Sequence, residues 1–305
     1  MKQDILLKEE NEKFGYINKD NKWIIKPRFD YGYDFYEDVA LVYLNNMWGV
    51  INIHGRYIIK RKFERAYNFE DGLAIIKEKG KWGIINIKGN YVVNPKFDQI
   101  KKYVNDVAKV RLKGKEGYID KKGNLIIELN YDSAYNFEDG IARVKYKGFW
   151  GLINKNGFFI LTPQFDEISS FNDGIAMAKI NGKCGFIDKK GAFLIEPIFD
   201  EAENFVGKIA KVKHDGYWGY IYKDNKYFIE PKFDEIWDFN NGLARVVYKG
   251  KFGYIDIQGK FAIEPQFDVS WDFQENGFAS FFNNGEVGFI DKDGNLYEEK
   301  PKNLS

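Results

Sequence analysis

A carboxylate recurs every 34 residues in this 305-residue chain, at Asp30, Glu64, Asp98, Asp132, Asp166, Asp200, Asp234 and Asp268. Each follows an aromatic residue. Carboxylates gathered at one place could bind a cation or a sugar, or work as an acid–base pair on a glycosidic bond. The same side chains can instead accept hydrogen bonds from backbone N–H groups at turns. A ligand site draws on a few copies of a repeat, whereas a fold needs the same bond in every copy. Uniform recurrence therefore points to turn capping.

Two further sets of residues vary between copies. Aromatic rings occupy one recurrent position at Tyr33, Tyr67, Tyr135, Trp237 and Trp271, where other copies hold Lys101, Ser169 or Glu203. A fold that accepts Lys, Ser or Glu there does not demand a ring. The rings are candidates for stacking on sugars or anchoring a protein partner, against the plainer reading of packing between copies. Cations alternate along one segment at Lys109 and Arg111, Arg143 and Lys145, Lys211 and Lys213, and Arg245. They form a candidate basic stripe, or a set of side chains paired with nearby Asp and Glu. The whole chain carries 46 Lys and Arg against 45 Asp and Glu, a formal charge of +1. That balance argues against nucleic acid as a partner, because strong binding needs several phosphate contacts.

Groups for catalysis are scarce. His54 and His214 fall in expected turns, and Thr162 is the only threonine. The single cysteine, Cys184, stands where other copies hold Trp, so it is expected to be buried rather than nucleophilic. One cysteine excludes an internal disulfide framework and a Cys-rich metal site. Every Gly-rich spot belongs to a turn pattern, which leaves no phosphate-binding loop. The expectation is a non-catalytic binding scaffold without metal or cofactor. Its partner is expected to be a protein, with carbohydrate as the alternative. No apolar run approaches the ~18 residues of a membrane span. The start has no signal-peptide core, so a cytoplasmic location is the default expectation.

These residues sit on one repeated motif. A glycine, usually after an aromatic, stands at Gly15, Gly49, Gly83, Gly117, Gly151, Gly185, Gly219, Gly253 and Gly288, 34 residues apart and finally 35. Proline recurs twelve residues later at Pro27, Pro95, Pro163, Pro197, Pro231 and Pro265. The run Lys81-Trp82-Gly83, followed by Ile85-Asn86 and by Asn94-Pro95-Lys96-Phe97-Asp98, resembles the WG-containing (KWG) repeat family from about Ile5 to Tyr297. Copies with Glu116, Cys184 or Val287 before the glycine depart from the name-giving Trp. The resemblance implies a repeat scaffold, in a family found mainly in bacteria, and carries no catalytic residue across.

The pattern predicts an all-β chain of tandem 34-residue β-meanders. Ala74–Lys77 reads as a strand, Lys79-Gly80 as a two-residue turn, and Trp82–Asn86 as the next strand. Asn86 to Gly89 reads as a turn with a left-handed fourth residue. Tyr91–Val93 is a third strand that Pro95 ends or confines to a sheet edge. Phe97–Ile100 makes a brief fourth. Residues 1–305 are expected to form a single repeat domain of eight full copies and a truncated ninth. Strands apolar on both faces require sheets stacked copy on copy. That favours a β-propeller, with an open β-superhelix as the alternative. The recurrent glycine is expected where a neighbouring copy packs against the strand.

Overall fold

A computed structural model describes residues 5–299, and every regular element among them is a β-strand. A three-stranded sheet, Leu6–Glu10, Lys13–Ile17 and Trp23–Phe29, is followed by eight four-stranded sheets, each antiparallel with its strands in chain order. Among the described residues no helix is long and apolar enough to cross a membrane. The chain comprises two compact units, Met1–Gly148 with Leu152–Phe159, and Phe149–Gly151 with Ile160–Ser305.

The sheet around Trp82 shows how sequence makes the element. Its strands are Arg65–Ala66, Leu73–Glu78, Lys81–Asn86 and Tyr91–Phe97. Lys79 and Gly80 both have positive φ, 51° and 76°, the type I′ turn that matches the twist of a hairpin. The next turn is closed by Asn86, whose Oδ1 accepts the N–H groups of Lys88 and Asn90 at 3.0 Å each. Its backbone carbonyl accepts the N–H of Gly89, which sits at φ 82°.

Two strand boundaries differ from the sequence expectation. The third strand does not stop before Pro95 but runs through it to Phe97. It is the edge strand of its sheet, where a residue without an N–H is tolerated. The brief fourth strand is only Gln99–Ile100, and it pairs with Val107–Leu112 of the following sheet. Each connector therefore starts the next sheet instead of finishing its own. His214 also ends the strand Ile209–His214 rather than lying in a turn.

The recurrent glycine is tightly packed, but against its own copy. Trp82 faces Phe97 and Ile84 faces Val93, so Gly83 alone opposes the three residues 94–96. A Cβ on Gly83 would lie 2.6 Å from the Val93 carbonyl oxygen and 2.8 Å from the Pro95 nitrogen. The bulged edge strand folds over the glycine, and proline stabilises that bulge because no ladder N–H is required of it. Contact with the neighbouring copy falls instead to the turn glycine. A Cβ on Gly89 would meet Ile59 Cγ1 at 3.0 Å, and one on Gly191 would meet Leu161 Cβ at 3.1 Å.

The core lies between successive sheets. One cluster joins Leu41, Val50 and Phe63 of one sheet to Phe69, Ala74, Ile76 and Ile85 of the next. Connector aromatics Phe29, Phe63, Phe199, Phe233 and Phe267 are completely buried. Each removes roughly 150–250 Å² from water, so packing between copies accounts for much of the chain's aromatic excess.

Candidate functional site

The connector carboxylates bind the chain to itself. Asp98 Oδ2 accepts the Lys113 N–H at 2.6 Å, in the type I′ turn of the following sheet. Asp98 Oδ1 accepts from Lys81 Nζ of the preceding sheet at 2.5 Å. One carboxylate thus staples two sheets. The turn bond recurs at Asp30, Glu64, Asp132, Asp166, Asp200, Asp234 and Asp268. The lysine bond recurs at Asp30, Asp132, Asp200 and Asp268, and holds these carboxyls below their ordinary range, with help from the turn N–H. Where Met47, Phe149 or Tyr217 replaces the lysine, Glu64, Asp166 and Asp234 keep the turn bond, and Glu64 pairs instead with Lys77 at 4.0 Å. Capping is their role in the geometry.

The five aromatics occupy one equivalent position just after the short strand of a sheet. In all eight copies the backbone N–H there bonds to the facing strand at 2.9–3.0 Å, as in Tyr33 to Leu41, Lys101 to Lys109, Ser169 to Met177 and Trp237 to Arg245. In four copies a buried tyrosine of the preceding sheet donates its hydroxyl to the carbonyl of the same residue. Tyr16 bonds Tyr33, Tyr118 bonds Tyr135, Tyr220 bonds Trp237 and Tyr254 bonds Trp271, at 2.6–3.2 Å. Burial pushes the Tyr254 hydroxyl up to about 12. The backbone is clamped and the side chain is left to vary.

Several of these rings are held against the residue that precedes the recurrent glycine. Tyr33 stacks on Trp48 at 5.1 Å and 19°, Tyr67 on Trp82 at 5.6 Å and 13°, and Trp237 on Phe252 at 5.9 Å and 26°. Tyr67, Tyr135 and Trp271 remain 42–48% exposed. Tyr67 is both stacked and exposed, and a ring held in that way offers contact area without a large ordering cost.

The basic stripe is largely neutralised. Lys109 donates to the Ala134 carbonyl at 2.5 Å and pairs with Glu116 at 3.1 Å. Arg245 makes the equivalent bond to the Ser270 carbonyl and lies 3.2 Å from Asp272, with its guanidinium 4.0 Å from the Trp237 ring centre. Arg143 lies over Tyr135 in the same way, also at 4.0 Å. Lys211 pairs with Glu203 and Asp238, and Lys213 with Glu201. Arg111 and Lys145 sit beside the connector carboxylates Asp98 and Asp132. Lys109, Lys211 and Arg245 reach residues of the following copy, while Arg143 and Lys213 are engaged within their own sheet, so these cations are already committed to contacts inside the fold.

Cys184 is buried, which pushes its thiol up. His54 is exposed in a turn, while His214 Nδ1 meets the Tyr227 hydroxyl at 2.7 Å. No group of three or more His, Cys, Asp or Glu among the described residues could hold a metal ion.

A groove that residue-type counting overlooked lies between the sheets that begin at Arg65 and Gln99. Tyr67, Leu73, Ile75 and Tyr103 form its apolar part. Lys102 pairs with Glu70 at 2.7 Å, and Lys121 with Asp71 at 2.9 Å and Asp106 at 2.5 Å. The signal was departure from the repeat. Lys102 stands where the other seven full copies have Asp, Asn or Ser, and Tyr103 where they have Phe.

The sequence pattern of the WG containing repeat matches eight successive segments, residues 14–48, 48–82, 82–115, 117–148, 150–184, 185–218, 218–252 and 252–286. This chain belongs to the WG containing repeat family. No curated protein matches it. Among solved structures, this WG-repeat chain is similar to a eukaryotic initiation factor at 9% identity and TM-score 0.38, over 99% of this chain and 100% of the other. It is similar to Kluyveromyces lactis Hsv2p at 11% identity and TM-score 0.33, over 72% of this chain and 89% of the other. The tricorn protease aligns at 12% identity and TM-score 0.28, over 96% of this chain and 39% of the other.

Proposed function

We propose that this WG-repeat chain is a non-catalytic scaffold that binds a protein partner through the variable position of its connectors. One observation carries the reading. The backbone at that position is fixed by the same N–H bond in all eight copies, while the side chains run Tyr, Tyr, Lys, Tyr, Ser, Glu, Trp and Trp. Residues that maintain a fold converge on one type, as the connector carboxylates do. Residues that meet a partner diverge, because each copy faces a different part of it. The composition supports this, since Tyr, Trp and Arg dominate the energetics of protein interfaces. Two of these rings, Tyr135 and Trp237, lie face to face with an arginine.

The test uses substitutions the scaffold already tolerates. Ser169 shows that serine fits this position, so Trp237→Ser with Trp271→Ser removes the rings and leaves the fold. Affinity capture from the native cell is expected to recover one stoichiometric protein with the wild-type chain and not with the double variant, at equal melting temperature. Equal recovery by both, or no stoichiometric protein with either, refutes the reading.

A further inference from the structure

We infer that the groove between the second and third connectors is a binding site for a neutral pyranose. This goes beyond the protein scaffold and does not depend on it. The site is built where two framework rules are broken in consecutive residues. Seven full copies place a short acid, an amide or serine at the position of Lys102, and phenylalanine at that of Tyr103. The fold needs neither change.

Each departure has a consequence in the groove. The ammonium of Lys102 reaches back to Glu70 Oε1 at 2.7 Å and fixes one wall. The hydroxyl of Tyr103 donates to the Asp120 carbonyl at 3.0 Å, which holds its ring beside Lys121. Lys121 bridges Asp71 and Asp106 and also lines the groove. Tyr67, Leu73 and Ile75 complete the apolar part of the lining. Tyr67 is nearly parallel to Trp82, which backs it, and it is 42% exposed.

A pyranose matches these parts. It has an apolar C–H face for a backed aromatic ring. It also has a rim of hydroxyls that donate and accept. The walls offer both functions, since each ammonium has three N–H groups and each carboxylate about four acceptor sites. Charge selects against ionic ligands. Lys102 and Lys121 are balanced in the lining by Glu70 and Asp71, all engaged in ion pairs, and Lys121 pairs with Asp106 as well. An anion would have to displace a carboxylate from Lys102 or Lys121. A neutral polyol binds without breaking either pair.

The experiment is a glycan array of neutral and anionic sugars, followed by calorimetric titration of the best neutral glycan. Tyr67→Ser copies Ser169, Tyr67→Trp copies Trp237 and Trp271, and Lys102→Asn copies Asn68, so all three residues already exist in this framework. Wild type is expected to retain neutral glycans. Tyr67→Ser should weaken the best of them about tenfold or more, equivalent to about 1.4 kcal/mol. Tyr67→Trp should keep or strengthen binding, and Lys102→Asn should weaken it severalfold. Tyr135→Ser, outside the groove, should change nothing. Retention of anionic glycans alone, indifference to Tyr67→Ser, or an array with no neutral glycan bound overturns the inference. A protein partner lost on Lys102→Asn with no glycan bound overturns it as well, and assigns the groove to the scaffold.

Discussion

Replacing Gly83 by alanine tests why every copy in this chain keeps its glycine. A Cβ there would lie 2.6 Å from the Val93 oxygen, 2.8 Å from the Pro95 nitrogen and 3.1 Å from the Pro95 Cα. All three are backbone atoms, so no rotamer change relieves the contact. An ordinary carbon contact lies near 3.5 Å, and the bulged strand would have to retreat by roughly that difference. Retreat pulls against the Trp82–Phe97 and Ile84–Val93 pairs on either side. We expect a loss of about 3 kcal/mol, the upper end of overpacking penalties. In a unit of this size that lowers the melting temperature by about 6–12 °C. Gly80→Ala is the control. It has positive φ, 76°, but open space around it, and its cost is about 1 kcal/mol. Gly49→Ala should fall between them, because Arg61 replaces the proline and its nearest backbone contact is 2.9 Å. Urea denaturation of the three variants reads the order directly. If Gly83→Ala is no worse than Gly80→Ala, the bulge does not explain the glycine.

Two further outcomes follow from the ion pairs. Asp30, Asp98, Asp132, Asp200 and Asp268 have carboxyls lowered by a lysine and a turn N–H. Their contribution is complete above the unfolded value of about 4 and is lost as pH falls through the lower folded values. The urea midpoint should therefore hold from neutral pH to about 5 and drop below about 4, less steeply in Asp98→Asn; a midpoint flat into that acid range refutes the stapling role. Lys109→Leu should cost about 3 kcal/mol by stranding the buried Glu116, while Lys109→Leu with Glu116→Trp, the pair present as Leu41 and Trp48, should recover most of it. A double variant no more stable than the single one would show that the ion pair is not what the site requires.

How much was legible in the sequence differs between framework and site. Asn86, Gly89 and Lys79-Gly80 announced their turns because positive φ and side-chain capping are local demands, met within four residues. The connector carboxylates could be assigned to capping because a carboxylate in every full copy implies the same bond in each. The role of Gly83 was legible only in part. Its need for space showed, but whether the neighbour was the next copy or the same copy's edge strand depended on a register shift at Pro95. No periodicity encodes such a shift. The short strand Gln99–Ile100 was likewise visible as a strand, yet its partner belongs to the next sheet. Alternation reports which face is buried and is silent on which sheet supplies the hydrogen bonds. The variable position was found from the sequence because its copies disagree. The groove beside it was not, because Glu70, Lys102 and Lys121 come from three connections and each alone resembles a solvated surface charge. Glu70 pairs with Lys102 and Lys121 with Asp71, and only the fold brings both pairs to one groove with Tyr67. In a repeat protein, uniform residues report the scaffold, and the informative residues are those where one copy departs from the rest. Lys102 and Tyr103 are two such departures side by side, and both line the same groove.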